Sequence, residues 1–229
     1  MSQDRQDFGR SAIIGNIRRG LKRGPLPADQ QAMLAGRLAT HPRHLVPARG
    51  QGDAASRVAS FMDNILREFG TVQHLPDFAA VPAAIAAYLA AQNIAAELVV
   101  SPHPELQAIP FTEKPLLKVR FGKTGPTDPV TVTQAFAGIA ETGTLMMPSG
   151  PERPTTNNLL SDIAIVVIRA ARIVGAYEDA FDLLRAERDG LPRNVMLITG
   201  PSRSADVEQT LELGAHGPRS LHVLIVDES

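Results

Sequence analysis

Cysteine is absent from the 229 residues. That removes disulfides, thiolate nucleophiles and cysteine-held iron–sulfur or zinc sites together. Tryptophan is absent too, and tyrosine occurs only twice, which leaves no aromatic platform for stacking single-stranded nucleic acid. Neither sign of charge dominates. The 23 Lys and Arg stand against 24 Asp and Glu, so nothing draws the whole chain to nucleic acid or to a membrane surface. The longest apolar stretch, Ala-rich 78–91, is too short to span a bilayer and contains Pro82. The polar residues after Met1 form no secretory leader. The expectation is a cytoplasmic protein with no membrane insertion.

What is present is enough apolar sequence for a core: 44% hydrophobic against 21% charged residues. Residues 1–45 read as an N-terminal helical extension. Ile13, Ile14, Ile17 and Leu21 fall near helical spacing among arginines and Lys22, and Gly24-Pro25-Leu26-Pro27 stops that helix. A second short helix is expected over 29–39, and a Pro/Gly-rich linker over 41–52. Residues 46–229 read as an α/β domain. Asp53 is placed to cap a helix whose apolar stripe is Val58, Phe61, Met62, Ile65, Leu66 and Phe69, with Gly70 as its stop. Strands are predicted at 71–75, 95–100, 116–121, 130–133, 145–147, 163–168, 194–199 and 221–226. Helices are predicted at 77–91, 177–188 and 204–213. The continuous run 163–168 suits a strand buried on both faces. This alternation predicts a mainly parallel sheet flanked by helices.

Two clusters carry candidate chemistry. The first is Ala140-Glu141-Thr142-Gly143-Thr144. Its glycine permits a bend or a close backbone approach, and Glu141 is open to three roles: base, nucleophile or plain hydrogen-bond acceptor. The second runs Gly200-Pro201-Ser202-Arg203-Ser204-Ala205-Asp206-Val207-Glu208 and on to Gly214-Ala215-His216-Gly217-Pro218. Ser202 or Ser204 can cap the predicted helix, with Asp206 in its first turn; an anion site and a well-capped turn both fit. His216 is either an acid–base group or a histidine bonded within its loop. No histidine pair has metal-ligand spacing, since His41 and His44 lie in the linker and His103 sits between prolines. Arg153, in the loop after the Glu141 segment, either reaches an anionic ligand or is solvated. The Thr155-Thr156-Asn157-Asn158 run beside it ranks below the two clusters. The candidate set is therefore Glu141, Asp206 and His216 for catalysis, with Thr142, Gly143, Thr144, Arg153, Gly200, Ser202, Arg203 and Ser204 for ligand binding.

In their order and spacing these motifs resemble the lactate-utilisation (LUD) domain family, of the lactate-utilisation protein C (LutC) type, most strongly over 130–226. The resemblance implies a fold of the NagB/RpiA/CoA-transferase type. It also implies a subunit that supports oxidation of L-lactate to pyruvate with iron–sulfur partner subunits, itself without a cofactor, and a small organic acid as the ligand. Two alternatives stay open: a stand-alone acyl- or CoA-transferase using Glu141, and a non-catalytic scaffold.

Overall fold

The structure, a computed structural model, describes residues 3–22, 24–205 and 211–227. The chain divides into two compact units, Met1–His44 and Leu45–Ser229. The first holds helices α1 (Gln3–Gly20) and α2 (Ala28–Thr40). His41 ends α2 in the left-handed conformation, its N–H donating to the Arg37 carbonyl. No residue of α2 is buried, and Ile13, Ile17 and Leu21 of the first unit are exposed.

The second unit opens with a short 3-10 turn, Ala48–Gly50, inside the stretch expected to be linker. Helix α3 (Ala54–Arg67) follows, and the Asp53 carboxylate accepts from the Ser56 N–H at 2.8 Å as a helix cap. Then come β1 (Thr71–Leu75), α4 (Val81–Ala91), β2 (Glu97–Val100), α5 (Pro104–Gln107), β3 (Lys118–Phe121), β4 (Val130–Gln134), β5 (Ala137–Ile139) and β6 (Thr144–Pro148). The chain continues through β7 (Ile163–Arg169), β8 (Ile173–Val174), α6 (Tyr177–Glu187), β9 (Val195–Ile198), β10 (Arg203–Ala205), β11 (Leu211–Leu213) and β12 (Ser220–Val226). No described helix is long and apolar enough to cross a membrane.

Six strands form one sheet in the order β1-β12-β7-β4-β2-β3, with every neighbouring pair parallel. β7 lies inside it, and its side chains alternate between two cores. Ile163, Ile165 and Val167 face the core completed by Val81, Ile85 and Leu89 of α4. Ala164, Val166 and Ile168 face the other, against Phe61 and Ile65 of α3. Each such buried aliphatic or aromatic side chain stabilises the fold by roughly 1.5–3 kcal/mol.

Helices do not cover both faces, as the sequence pattern had predicted. On the α3 side a second, mixed sheet, β8-β5-β6-β9, completes the layer. It presents Leu145, Met147 and Ile173 inward and turns Ala137, Ile139 and Met146 outward onto Ala180 and Leu184 of α6. The layers are thus α4, parallel sheet, α3 with mixed sheet, and α6. A further departure concerns the α3 stripe, where Leu66 and Phe69 are exposed. Phe69, at φ 64°, takes the left-handed turn after the helix, and the Arg203 guanidinium lies 3.8 Å from its ring centroid.

One buried histidine gives the core a pH response. His222, on β12, is 5% exposed. Its Nδ1 lies 2.8 Å from the Thr71 hydroxyl, its ring stacks on Tyr88 with centroids 4.1 Å apart, and Nε2 is buried without a partner. Burial pushes its pKa down to about 4. Below about pH 6.5 the unfolded chain takes up a proton that the folded chain refuses. The contribution is therefore fully present above that pH and is lost as pH falls toward the folded value, to a limit of about 3 kcal/mol. Urea unfolding of wild type and His222→Gln at pH 7 and pH 4.5 checks this. The wild type should lose more stability than the variant over that interval, and equal losses would refute the assignment.

Candidate functional site

Glu141 follows β5 and is drawn into the body by backbone bonds. Ala140 N–H donates to the Val174 carbonyl and Glu141 N–H to the Gly175 carbonyl. The carboxylate is enclosed, with a side chain only 4% exposed. Its Oε1 accepts from the N–H of Tyr177, the first residue of α6, at 3.3 Å. Its Oε2 is buried without a hydrogen bond, 3.8 Å from the Nε of exposed Arg49. A carboxylate at a helix start is favourable to the helix dipole. The segment expected to be linker thus supplies the one cation against Glu141 among the described residues. Beside it runs a chain of hydroxyls: Thr142 to Thr144 at 2.7 Å, and Thr144 to Tyr177 at 2.9 Å and to Thr199 at 2.6 Å.

The Thr144–Thr199 contact brings the two sequence clusters together, and both lean on α3. The glycine expected to admit a ligand admits that helix instead. A Cβ on Gly143 would lie 2.8 Å from the Ile65 nitrogen, and one on Gly200 would lie 2.4 Å from the Glu68 carbonyl oxygen; their φ values are 68° and 78°. Past Gly200 the predicted helix over 204–213 gives way to an antiparallel pair, β10 with β11, in which Arg203 faces Leu213. The helix-capping roles given to Ser202 and Ser204 therefore lapse. Ser202 accepts instead, its hydroxyl from the His216 N–H at 3.2 Å and its carbonyl from the Gly214 N–H. His216 itself is exposed. Asp206 lies outside the described residues.

A third constellation occupies the carboxyl edge of the parallel sheet. From β2 the chain passes to β3 on one side, then returns to β4 on the other and goes on to β7 and β12. This reversal makes the β2/β4 pair the switch point where open α/β sheets place their ligands. Gln134 ends β4 and is 4% exposed. Its Oε1 accepts from Arg153 Nε at 3.1 Å and from Arg153 Nη2 at 2.6 Å. Its Nε2 donates to Glu105 at 3.1 Å, and Glu105 in turn accepts from Arg169 Nε at 2.6 Å. Arg153 Nη2 also lies 2.8 Å from His103 Nε2. Arginine has no acceptor, so Nε2 accepts, the imidazole proton sits on Nδ1, and that buried Nδ1 has no partner.

Residues 129–226 match a family model described as the LUD domain. An uncharacterised protein of Neisseria meningitidis serogroup B is 40% identical to this chain over 92 residues, 40% of either chain. Lactate utilization protein C of an Exiguobacterium species is 38% identical over 102 residues, covering 43% of this chain and 44% of that one. Lactate utilization protein C of Bacillus subtilis is 32% identical over 102 residues, 43% and 42% of the two chains. The chain thus spans less than half the length of these curated relatives. The crystal structure of a DUF162 family protein from Deinococcus radiodurans superposes with a TM-score of 0.57 at 24% identity, over 77% of this chain and 99% of that one, which shows a shared fold.

The matched span 129–226 holds β4, β7 and β12, and with them Gln134, Arg153 and Arg169. His103 and Glu105 reach the same edge from outside it, after β2. Of the sequence candidates only Arg153 stands here; Gln134, His103, Glu105 and Arg169 were missed. A usable signal existed for Gln134 and Arg169, since each is a polar residue closing an apolar strand of the sheet. Burial is the main reason that the Arg153 pKa falls to about 10, with Arg188 next. Burial and then the Arg153 charge keep the His103 pKa low, so the imidazole is neutral. Among the described residues no group of three or more His, Asp or Glu side chains is placed to hold a metal ion.

Proposed function

We propose that this chain is a LutC-like component of a cytoplasmic lactate-utilisation system that supports oxidation of L-lactate to pyruvate with iron–sulfur partner subunits. The observation that carries this reading is the LUD match together with relatives named lactate utilization protein C, each similar over 43% of the chain. Electron accounting supports the division of labour. Lactate oxidation releases two electrons and two protons, and a chain without cysteine has no thiolates to bind an iron–sulfur acceptor. The parallel sheet and its switch point fit a NagB/RpiA/CoA-transferase-like assignment. Acyl transfer on Glu141 is the weaker reading, because a thioester has no route to a carboxylate whose side chain is 4% exposed. Glu141 fits better as a residue that positions α6 and the adjoining hydroxyls.

Deleting the gene in its host tests the proposal. Growth on L-lactate as sole carbon source should stop, growth on pyruvate should continue, and the wild-type gene should restore the first. Undiminished growth of the deletion strain on L-lactate would remove the basis for the assignment.

A further inference from the structure

We propose that the Arg153 guanidinium, braced by Gln134 at the β2/β4 switch point, seats the carboxylate of a small monoanionic acid. Taking that acid to be a 2-hydroxy acid rests on the lactate-utilisation reading; the carboxylate seat rests on the geometry alone.

The first argument is a missing counter-ion. Arg153 is largely withdrawn from water, and its hydrogen-bond partners, the Gln134 amide oxygen and the His103 imidazole, are both neutral. Among the described residues no carboxylate oxygen lies within 4.0 Å of its guanidinium nitrogens. Withdrawn charges are ordinarily paired. The nearby acidic groups are committed elsewhere. Glu105 bonds Arg169 and Gln134, and Glu187 takes two bonds from Arg172, at 2.5 and 2.7 Å.

The second argument is orientation. Glu105 needs a donor, so the Gln134 amide turns its nitrogen to Glu105 and its oxygen to Arg153. One edge of the guanidinium, Nε with Nη2, is thereby fixed on Gln134. Nη1 has no hydrogen-bond partner among the described residues, and its N–H groups remain to donate a charge-assisted bond to a carboxylate oxygen.

The third argument is charge. Arg153, Arg169, Arg172 and Arg188 bring four positive charges to this edge, and Glu105, Glu152 and Glu187 bring three negative ones. The surplus of one matches a monoanion and disfavours a dianion such as phosphate. Glu152, half exposed and 3.9 Å from His103 Nε2, is the acidic neighbour that an incoming carboxylate would repel.

Isothermal titration calorimetry on the purified full chain tests the site, with L-lactate, acetate and inorganic phosphate as separate probes. L-lactate and acetate should each bind saturably, L-lactate the tighter, and phosphate should bind more weakly than either. Arg153→Ala should weaken L-lactate binding about tenfold or more. Arg153→Lys, which keeps the charge and loses the guanidinium bracing by Gln134, should fall between. Surface Glu152→Gln should tighten binding and shift the salt dependence, an effect that a purely structural role for the arginine would not produce. Absence of saturable binding of either monocarboxylate to the wild type would overturn the site. So would phosphate binding at least as tightly as L-lactate, or unchanged binding in folded Arg153→Ala and Arg153→Lys. The outcomes separate from the growth test. A lactate-growth defect without monocarboxylate binding rejects the seat and keeps the pathway. Binding through Arg153 with normal lactate growth keeps the seat and rejects the pathway.

Discussion

Replacing Asn157 by alanine is expected to cost about 4 kcal/mol of stability. Its side chain is fully buried and makes three bonds that cross the sheet. Nδ2 donates to the Ser101 hydroxyl and to the Gly122 carbonyl, each at 2.9 Å, and Oδ1 accepts from the Thr124 N–H at 2.8 Å. Those partners follow the ends of β2 and β3, so one amide ties two neighbouring strand ends to the loop that leads to β4. Alanine would leave a buried backbone N–H unpaired and a cavity beside it. Asn157→Asp keeps the Thr124 bond and can accept from the Ser101 hydroxyl, but sets a buried carboxylate oxygen against the Gly122 carbonyl, and should also be destabilising. The urea midpoint is the measurement. A loss below about 1 kcal/mol in Asn157→Ala would mean that water replaces all three bonds.

Gly143→Ala and Gly200→Ala are each expected to cost more than about 3 kcal/mol and to lower the yield of folded protein. Alanine is strained at the positive φ of both sites. More decisively, the new methyl would meet backbone that cannot rotate away, 2.8 Å from the Ile65 nitrogen of α3 in the first case and 2.4 Å from the carbonyl oxygen of Glu68, just past α3, in the second. Gly150→Ala is the matched comparison, because no heavy atom lies within 4 Å of a Cβ built there, and it should change stability by about 0.5 kcal/mol or less. Similar melting temperatures for all three variants would show that α3 does not seat these two bends as described.

The parts legible in the sequence are those fixed by local pattern. The Asp53 cap and the apolar run of β7 follow from residue type and spacing. The mixed sheet was not legible, because β5 has three residues and β8 two, too few for any period to register. Residues 204–213 suggested a capped helix through Ser204 and Asp206, yet Leu211-Glu212-Leu213 alternates with period two, and tertiary pairing chose strands. Gly143 was recognisable as a bend; that it packs on Ile65 of α3, 78 positions away, and Gly200 on Glu68 just past α3, 132 positions away, was not. The edge cluster was least legible, since His103, Gln134 and Arg153 are separated by long stretches of chain and only sheet topology gathers them. Of the two prolines that flank His103, Pro104 opens α5 and holds the imidazole at the end of β2.

The position of β12 sets the order in which the molecule can be assembled. It is synthesised after the other five strands of its sheet, yet it fills the gap between β1 and β7, with Thr71 and His222 in register 151 positions apart. While the chain is being translated, β1 has no neighbour, and the opposite edge of β7 stands open. Closing a loop of that size carries an entropic cost before its contacts form, and such long-range parallel pairing is slow. The nascent protein therefore carries two unsatisfied strand edges until β12 emerges. That interval, rather than the finished fold, is when chaperones would matter most and when stray β-pairing would capture the chain.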